Sequence, residues 1–511
     1  MEGLAVIIII VYGLSLLFIF CYSLIQLSLL LSYLRHKRIA RHSAVAAQPL
    51  PSSVPQVTVQ LPVYNEIYVV ERLLDAVAQF RYPKDKLQIQ VLDDSTDETS
   101  ALIRKKAFEL QQAGFTVEHI QRENRKGFKA GALSHALDSA TGTFIAIFDA
   151  DFLPRPDFLV STLPAFSDQQ VGMVQTRWEH LNKNHSLITR LQAFALDAHF
   201  TIEQAGRNAA GHFINFNGTA GIWRKKCIED AGGWQSDTLT EDLDLSYRAQ
   251  LRGWKFVYRE DLGTPAELPV AMTALKNQQF RWNKGAAECV RKNLASVLQK
   301  TGLSSSTKLQ ATFHLLNSTI FLFIMTAALL SIPMLFIKNY FPSFEFLFLY
   351  ASFFLVSLLI LGAFYFVSYA QQAKKFPRNI IGFLFIFPLF LSVSMGLALH
   401  NAIAVLQGYY GVKSPFNRTP KFNVESGHTG WKQNRYLEKT KSMMAIAEML
   451  LSVYFVAGIV MSFVFHDYGL LPFHAMLAFG FGFVSLSSLI HSQQGIKKYG
   501  ALRGRFKMAR G

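Results

Sequence analysis

The chain has 511 residues, half of them hydrophobic, and a formal net charge of +16. That apolar share exceeds what a soluble globular protein needs, and Cys21, Cys227 and Cys289 show neither metal spacing nor a disulfide framework. Many of the cations sit beside apolar runs, where positive-inside bias puts them, so no nucleic-acid partner is expected.

Gly3 to Leu34 carries no charged residue, and a spanning helix needs roughly 20 apolar residues. The basic cluster Arg35, Lys37, Arg38 and Arg41 follows the run, whereas a signal peptide has a basic start. Residues 1–42 are expected to form a retained transmembrane anchor with its C-terminal end in the cytosol. Ser43 to Pro55 is a linker by composition. Residues 55–305 have the balance of one globular domain with a sizeable core. Val57–Leu61, closed by Pro62, Leu87–Leu92 and Phe144–Phe148 have the apolar character of buried strands. Helical patterns cover Glu71–Phe80, Ser100–Gln112 and Lys129–Ser139. Strands alternating with helices predict an α/β domain on a parallel sheet, with ligands beyond the carboxyl ends of the strands.

The polar motifs fall at such ends. Asp93 and Asp94 close the second strand; acids there can accept hydrogen bonds from a ribose or base, or make an ordinary Asx turn. Lys126-Gly127-Phe128-Lys129-Ala130-Gly131 opens a helix whose N-terminus favours anions, so Lys129 could reach a nucleotide; a solvated lysine on a tight turn fits as well. Asp149 and Asp151 end the third strand two residues apart and therefore on one face. Paired carboxylates of this kind make a hard-oxygen site for Mg²⁺ or Mn²⁺, completed by substrate phosphates. Thr240 is a candidate N-cap for a helix that places Asp242 in its first turn. A carboxylate there can act as general base, and the helix dipole is expected to keep it ionised at neutral pH. Acids are common in first turns without such a role. In Gln278-Gln279-Phe280-Arg281-Trp282, helical spacing puts Gln278, Arg281 and Trp282 on one face. Arg can grip a diphosphate and Trp can carry a sugar ring, and both also suit a membrane interface.

Five apolar stretches follow: Phe313–Ile337, Phe344–Tyr369, Ile380–Leu406, Ser442–Phe465 and Gly469–His491. If all crossed, the basic 407–441 loop and the basic tail would lie outside, against the positive-inside rule. With 380–406 in the membrane interface, both return to the cytosol. Residues 306–511 are thus expected to form a membrane domain in which that segment does not cross.

In their order these motifs resemble the processive family-2 inverting glycosyltransferases: cellulose, hyaluronan and chitin synthases and their relatives. Gln60 to Glu66 (QLPVYNE), Gln90 to Asp97 (QVLDDSTD), Ala146 to Phe152 (AIFDADF), Phe216 to Trp223 (FNGTAGIW) and Gly253 to Tyr258 (GWKFVY) are similar to the plant cellulose-synthase-like A and C groups, the mannan and glucan synthases. The resemblance implies a nucleotide-sugar-binding GT-A domain inserted between transmembrane helices. It implies that Asp93 and Asp94 hold the nucleotide with help from Lys129, and that Asp149 and Asp151 hold metal and diphosphate. Asp242 would be the base, Gln278 and Arg281 would line the diphosphate, and Trp282 would lie under the acceptor sugar. Phe216, Asn217, Gly218 and Thr219 would line the acceptor path. Phe416, Thr419 and Lys421 resemble a gating loop, from which Arg418 and Pro420 depart. With about 20 residues after His491, no cyclic-dinucleotide domain like that of bacterial cellulose synthase is expected.

The expected activity is transfer of a hexose from UDP-glucose or GDP-mannose to a growing β-glycan, coupled to export, with a cytosolic catalytic domain on the plasma or inner membrane. Expected partners are the donor, the glycan, the bilayer and accessory export proteins. The alternatives are a glycolipid synthase with a lipid acceptor, and a less favoured transporter with a soluble appendage, whose spans should hold midplane acids, of which Glu448 is the only clear one.

Overall fold

The computed structural model describes residues 2–40, 54–344, 352–372, 378–414, 418–424, 436 and 442–508. After helix α1 (Glu2–Ala40) come β1 (Val57–Val63), α2 (Val70–Ala78), β2 (Leu87–Asp93), α3 (Thr99–Gln112), β3 (Thr116–Gln121), α4 (Phe128–Leu137) and β4 (Phe144–Ile147). Then follow α5 (Phe158–Thr162), β5 (Val171–His180), α6 (Leu187–Ala198), a π-helical turn at His199–Gln204 and α7 (Ala205–Ala209). The domain ends with β6 (Gly221–Arg224), α8 (Lys225–Asp230), α9 (Glu241–Leu251), β7 (Lys255–Ala266) and α10 (Met272–Gln299).

The strands form one sheet in the order β3-β2-β1-β4-β6-β5-β7. The β3-β2-β1-β4 half is parallel, as the alternation of elements predicts, while β6 is antiparallel to both β4 and β5, so the sheet is mixed. β1 does not stop before Pro62: β4 pairs with it only as far as Gln60, so beyond that point one edge is free and the missing N–H costs no ladder bond there. Strand alternation sets the two faces. Val57, Val59, Leu61 and Val63 enter the core with Leu73, Leu74 and Phe158. The opposite face carries buried polar groups: Thr58 Oγ1 donates to Gln88 Oε1 at 2.6 Å, and Gln60 Nε2 to Gln90 Oε1 at 3.0 Å. In parallel register Val63 sits beside Asp93, so the carboxyl ends of β1 and β2 open at the same level.

Among the described residues, five helical segments are long and apolar enough to cross a membrane: Glu2–Ile39, Ser305–Tyr340, Phe353–Gln372, Met443–Val464 and Leu471–Ser492. They contain α1, α11 (Ser305–Leu315), α12 (Ile320–Tyr340), α13 (Val356–Gln372), α16 (Ser442–Val464) and most of α17 (Leu471–Met508). The stretch expected at the interface is a broken pair, α14 (Arg378–Gly396) and α15 (Ala398–Tyr410), bent by 48°. α14 lies hard against α17: a Cβ at Gly480 would stand 1.9 Å from Ser392 O, so only glycine admits this crossing.

α10 joins the two parts. A Cβ at Gly408 of α15 would come within 2.6 Å of Lys284 O and Ala287 Cβ on α10. On the same side of α10, Lys276 Nζ is 2.6 Å from Glu448 Oε1 of α16, and both side chains are buried. Glu448 is thus half of an ion pair with the helix that carries Gln278, Arg281 and Trp282. His400 of α15 completes the contact, its Nε2 lying 3.0 Å from the Lys276 carbonyl oxygen.

Removing one partner of a buried pair leaves an uncompensated charge, at a cost on the order of 3–5 kcal/mol. Lys276→Met and Glu448→Gln should each lower the thermal midpoint of the detergent-solubilised protein sharply, and Lys276→Met with Glu448→Leu should recover most of the loss. Equal midpoints for the single and double variants would show that the pair does not hold α10 in place.

Candidate active site

Asp94, Lys129, Asp149, Asp151, Asn217, Gly218, Asp242, Gln278, Arg281, Trp282, Thr419 and Lys421 converge on a cleft beyond the carboxyl ends of β1, β2 and β4. It has two chambers, of about 830 Å³ and 610 Å³, and Lys129, Asp149, Arg281 and Lys421 line both. Asp242, Gln278 and Trp282 line the larger chamber. Asp94, Tyr64, Glu66, Arg125 and Arg418 line the smaller.

Gly127, in the left-handed region at φ 74°, turns the chain into α4 and puts Lys129 in its first turn. Lys129 Nζ then reaches Asp149 Oδ1 at 2.5 Å and the Gly218 carbonyl oxygen at 2.9 Å. Burial works against its charge, but Asp149 and Glu241 outweigh it and hold the ammonium above its ordinary value. The two acids after β2 part company. Asp94 faces the smaller chamber, gripped by Arg122, whose Nε donates to Oδ1 at 2.9 Å. Asp93 turns back into the sheet and accepts from Ser95 N at 2.9 Å, with His119 Nε2 at 2.8 Å. Burial pushes Asp93 up, but these hydrogen bonds outweigh it and hold the carboxyl below its ordinary value.

Beyond β4, the Asp149 N–H donates to Thr219 Oγ1 at 2.9 Å, which aims that carboxylate at the cleft. Asp151 is buried; its Oδ2 is 2.7 Å from Lys421 Nζ, and its Oδ1 has no partner among the described residues. No group of three or more His, Cys, Asp or Glu able to hold a metal occurs among the described residues. Two carboxylates, one with an orphaned buried oxygen, fit a Mg²⁺ or Mn²⁺ ion that takes its remaining ligands from substrate phosphates and water.

Thr240 occupies the N-cap position of α9, but its hydroxyl makes no cap bond and lies 3.4 Å from Cys289 Sγ. The reason is packing: Gly285 of α10 presses on this turn so closely that a Cβ there would stand 2.6 Å from Thr240 Cγ2. The contact sets α9 against α10 and so Asp242 near Arg281 and Trp282. Gly218, at φ 79°, sits so close to Asp242 that an added Cβ would be 2.9 Å from Oδ2. The helix dipole does not hold Asp242 below its ordinary value, contrary to the expectation from its place in the first turn. Backbone N–H groups do lower its pKa, but burial first and the Glu241 carboxylate second push it up to about 7. Glu241 is raised as well, chiefly by burial, and the two titrate as a pair.

Phe216 and Thr219 do not line the cleft. Phe216 is fully buried against Trp223 and Trp234, and Thr219 acts from behind through Asp149. Asn217 and Gly218 do line it. Of the loop compared with a gate, Phe416 lies outside the described residues. Thr419 Oγ1 accepts from Arg281 Nη2 at 2.7 Å, and Lys421 pairs with Asp151 as above, so residues 418–424 close one side of the cleft. Arg418, a departure from the gating pattern, makes a 2.8 Å ion pair with Glu66. Burial pushes Glu66 up to about 7, with Arg418 and Lys421 opposing. Glu66 closes the QLPVYNE segment, yet its contact with residue 418 has no local sequence signal. The Arg125 guanidinium, 3.4 Å from the centre of the Tyr64 ring, is likewise a meeting of distant segments.

Residues 55–285 match the family described as "Glycosyltransferase like family 2". The chain is 41% identical over 275 residues to probable glucomannan 4-beta-mannosyltransferase 4 of Oryza sativa subsp. japonica, covering 53% of this chain and 49% of that protein. It is 42% identical over 258 residues to glucomannan 4-beta-mannosyltransferase 7 of Arabidopsis thaliana, covering 50% and 46%. The chain thus spans about half the length of these curated relatives. In fold it is similar to a mannosyltransferase from Pyrobaculum calidifontis, solved with GDP-Man and Mn²⁺, at a TM-score of 0.52 and 18% identity over 80% of this chain and 100% of that one. Residues 55–285 thus form a domain that matches the glycosyltransferase family 2 model, on a GT-A-like sheet.

Proposed function

We propose that this chain is a membrane-embedded inverting glycosyltransferase that moves a hexose, mannose by preference over glucose, from a nucleotide-sugar to a growing β-glycan. The observation that carries the reading is the pair of chambers meeting at Lys129, Asp149, Arg281 and Lys421. Cations and an acid at the junction suit a diphosphate. Asp94, Tyr64 and Arg125 beyond it suit a nucleoside; Asp242 and Trp282 on the other side suit an acceptor. The names of the plant relatives favour mannose.

In this mechanism Lys129, Arg281 and Lys421 balance the diphosphate, and Gln278 helps to seat it. Asp149 and Asp151 would hold Mg²⁺ or Mn²⁺, which when bound supplies further charge neutralisation at the leaving group. Trp282 carries the acceptor ring, and Asp242 takes the proton of the attacking hydroxyl. The pairing of Glu448 with Lys276 gives that acid a bracing role and weakens the transporter alternative. Residues 1–42 serve as anchor, 55–305 as the cytosolic catalytic domain and 306–511 as the membrane domain, with α14–α15 at the cytosolic interface. The glycan leaves through the spans, with accessory export proteins as partners.

A general base must be ionised to accept a proton, and Asp242 has its midpoint at about 7. kcat/KM should therefore rise with pH below about 7 and level above it. Asp242→Asn should lose this limb and at least ~10²-fold in turnover while binding nucleoside diphosphate normally. Loss of nucleotide binding with high residual turnover would make Asp242 a structural cap.

Removing the metal site should have a separate signature. Asp151→Asn should abolish transfer, and Mn²⁺ titrated in the presence of nucleoside diphosphate should give no bound signal by electron paramagnetic resonance. Full activity of the wild type in EDTA would rule out the divalent ion.

A further inference from the structure

The larger chamber has a wall outside the motifs that carry the family resemblance, at the carboxyl end of β5. Successive strand residues face opposite ways, so Trp178 and His180 share one face and Arg177 and Glu179 the other. Arg177 Nη2 donates to Glu179 Oε1 at 2.6 Å, while Trp178 and His180 line the chamber. The indole is fixed by its neighbours: Phe152 packs edge-on at 5.2 Å, and Phe200 lies at 5.0 Å. Gln175, lower on the same strand, accepts from Asn217 N at 2.9 Å and so ties the Asn217 loop to β5.

Trp178 Nε1 is nevertheless buried with no hydrogen-bond partner among the described residues, and so is Nδ2 of Asn217, which lines the same chamber. Buried N–H groups without a partner are uncommon and call for an explanation. Both atoms are donors only, so the group that satisfies them brings oxygen acceptors. Trp178, Phe152 and Trp282 also line the same space with aromatic rings. A pyranose ring has both features, hydroxyl oxygens at its rim and C–H groups on its face.

We propose that Trp178 recognises the acceptor: its indole N–H and the Asn217 amide donate to hydroxyl oxygens of the pyranose that lies against Trp282. This rests on the glycosyltransferase reading of the cleft and adds the side chains that select the acceptor ring.

Calorimetric titration of mannohexaose into the purified full chain loaded with GDP tests it. Trp178→Phe keeps the ring contacts and removes the N–H. Its Kd for mannohexaose should rise about tenfold, with the Kd for GDP and the thermal midpoint as in the wild type. An unchanged mannohexaose Kd overturns the proposal, as does a wild type that binds no mannohexaose. A parallel loss of GDP affinity overturns it too, because Trp178 would then be a packing residue. A wild type that binds mannohexaose but transfers no sugar would contradict the function proposed above and leave the Trp178 result standing.

Discussion

Charge balance in a half-buried cleft is the constraint on which the rest of this structure depends. Asp149, Asp151, Glu241 and Asp242 meet in one space with Lys129, Arg281 and Lys421. Burial alone would neutralise several of these acids. The cations keep the set near balance, and the surplus shows in the raised pKa of Asp242 and Glu241. In the proposed reaction a dianionic diphosphate and a divalent ion would enter this set, so binding and catalysis would draw on the same charges. A base whose pKa lies near neutrality is also the one best suited to take a proton at neutral pH.

That cleft is built by elements far apart in sequence, and α10 holds them in register. One face presents Gln278, Arg281 and Trp282 to the cleft. The other is fixed by the Lys276–Glu448 pair and by the close approach of Gly408. Gly285 sets the turn before Asp242 directly against the same helix. A displacement of α15 or α16 would therefore reach the larger chamber through α10. Residues 418–424, which follow α15 in the chain, close the cleft from the same side and touch both Arg281 and Asp151.

Much of this is legible in the residues themselves. The βα alternation locates the parallel half of the sheet, and the acids at strand ends locate the cleft. The antiparallel β6 escapes such a reading because Gly221–Arg224 is short and its partners are set by tertiary packing. Phe216 and Thr219 stand in a motif beside Asn217 and Gly218, but Phe216 packs on Trp223 and Trp234 and Thr219 bonds to the Asp149 N–H, contacts that the motif itself does not signal. Asp93 and Asp94 look equivalent in sequence; His119 and Arg122, contributed by and just after β3, decide which one faces the cleft. The dipole at the start of α9 is real, yet desolvation and a second carboxylate exceed it at Asp242. Trp178 and His180 are two aromatic residues at alternate positions of a strand end, but only the strand's place in the sheet turns them toward the larger chamber.

The central claim is that the two chambers hold a nucleotide-sugar and a glycan acceptor. The most direct measurement incubates the purified protein with radiolabelled GDP-mannose or UDP-glucose and Mn²⁺, followed by linkage and size analysis of the product. The account predicts a size-heterogeneous, alkali-insoluble β-linked glycan, made more readily from the mannose donor. A discrete chloroform-soluble glycolipid, or no transfer from either donor, would contradict it.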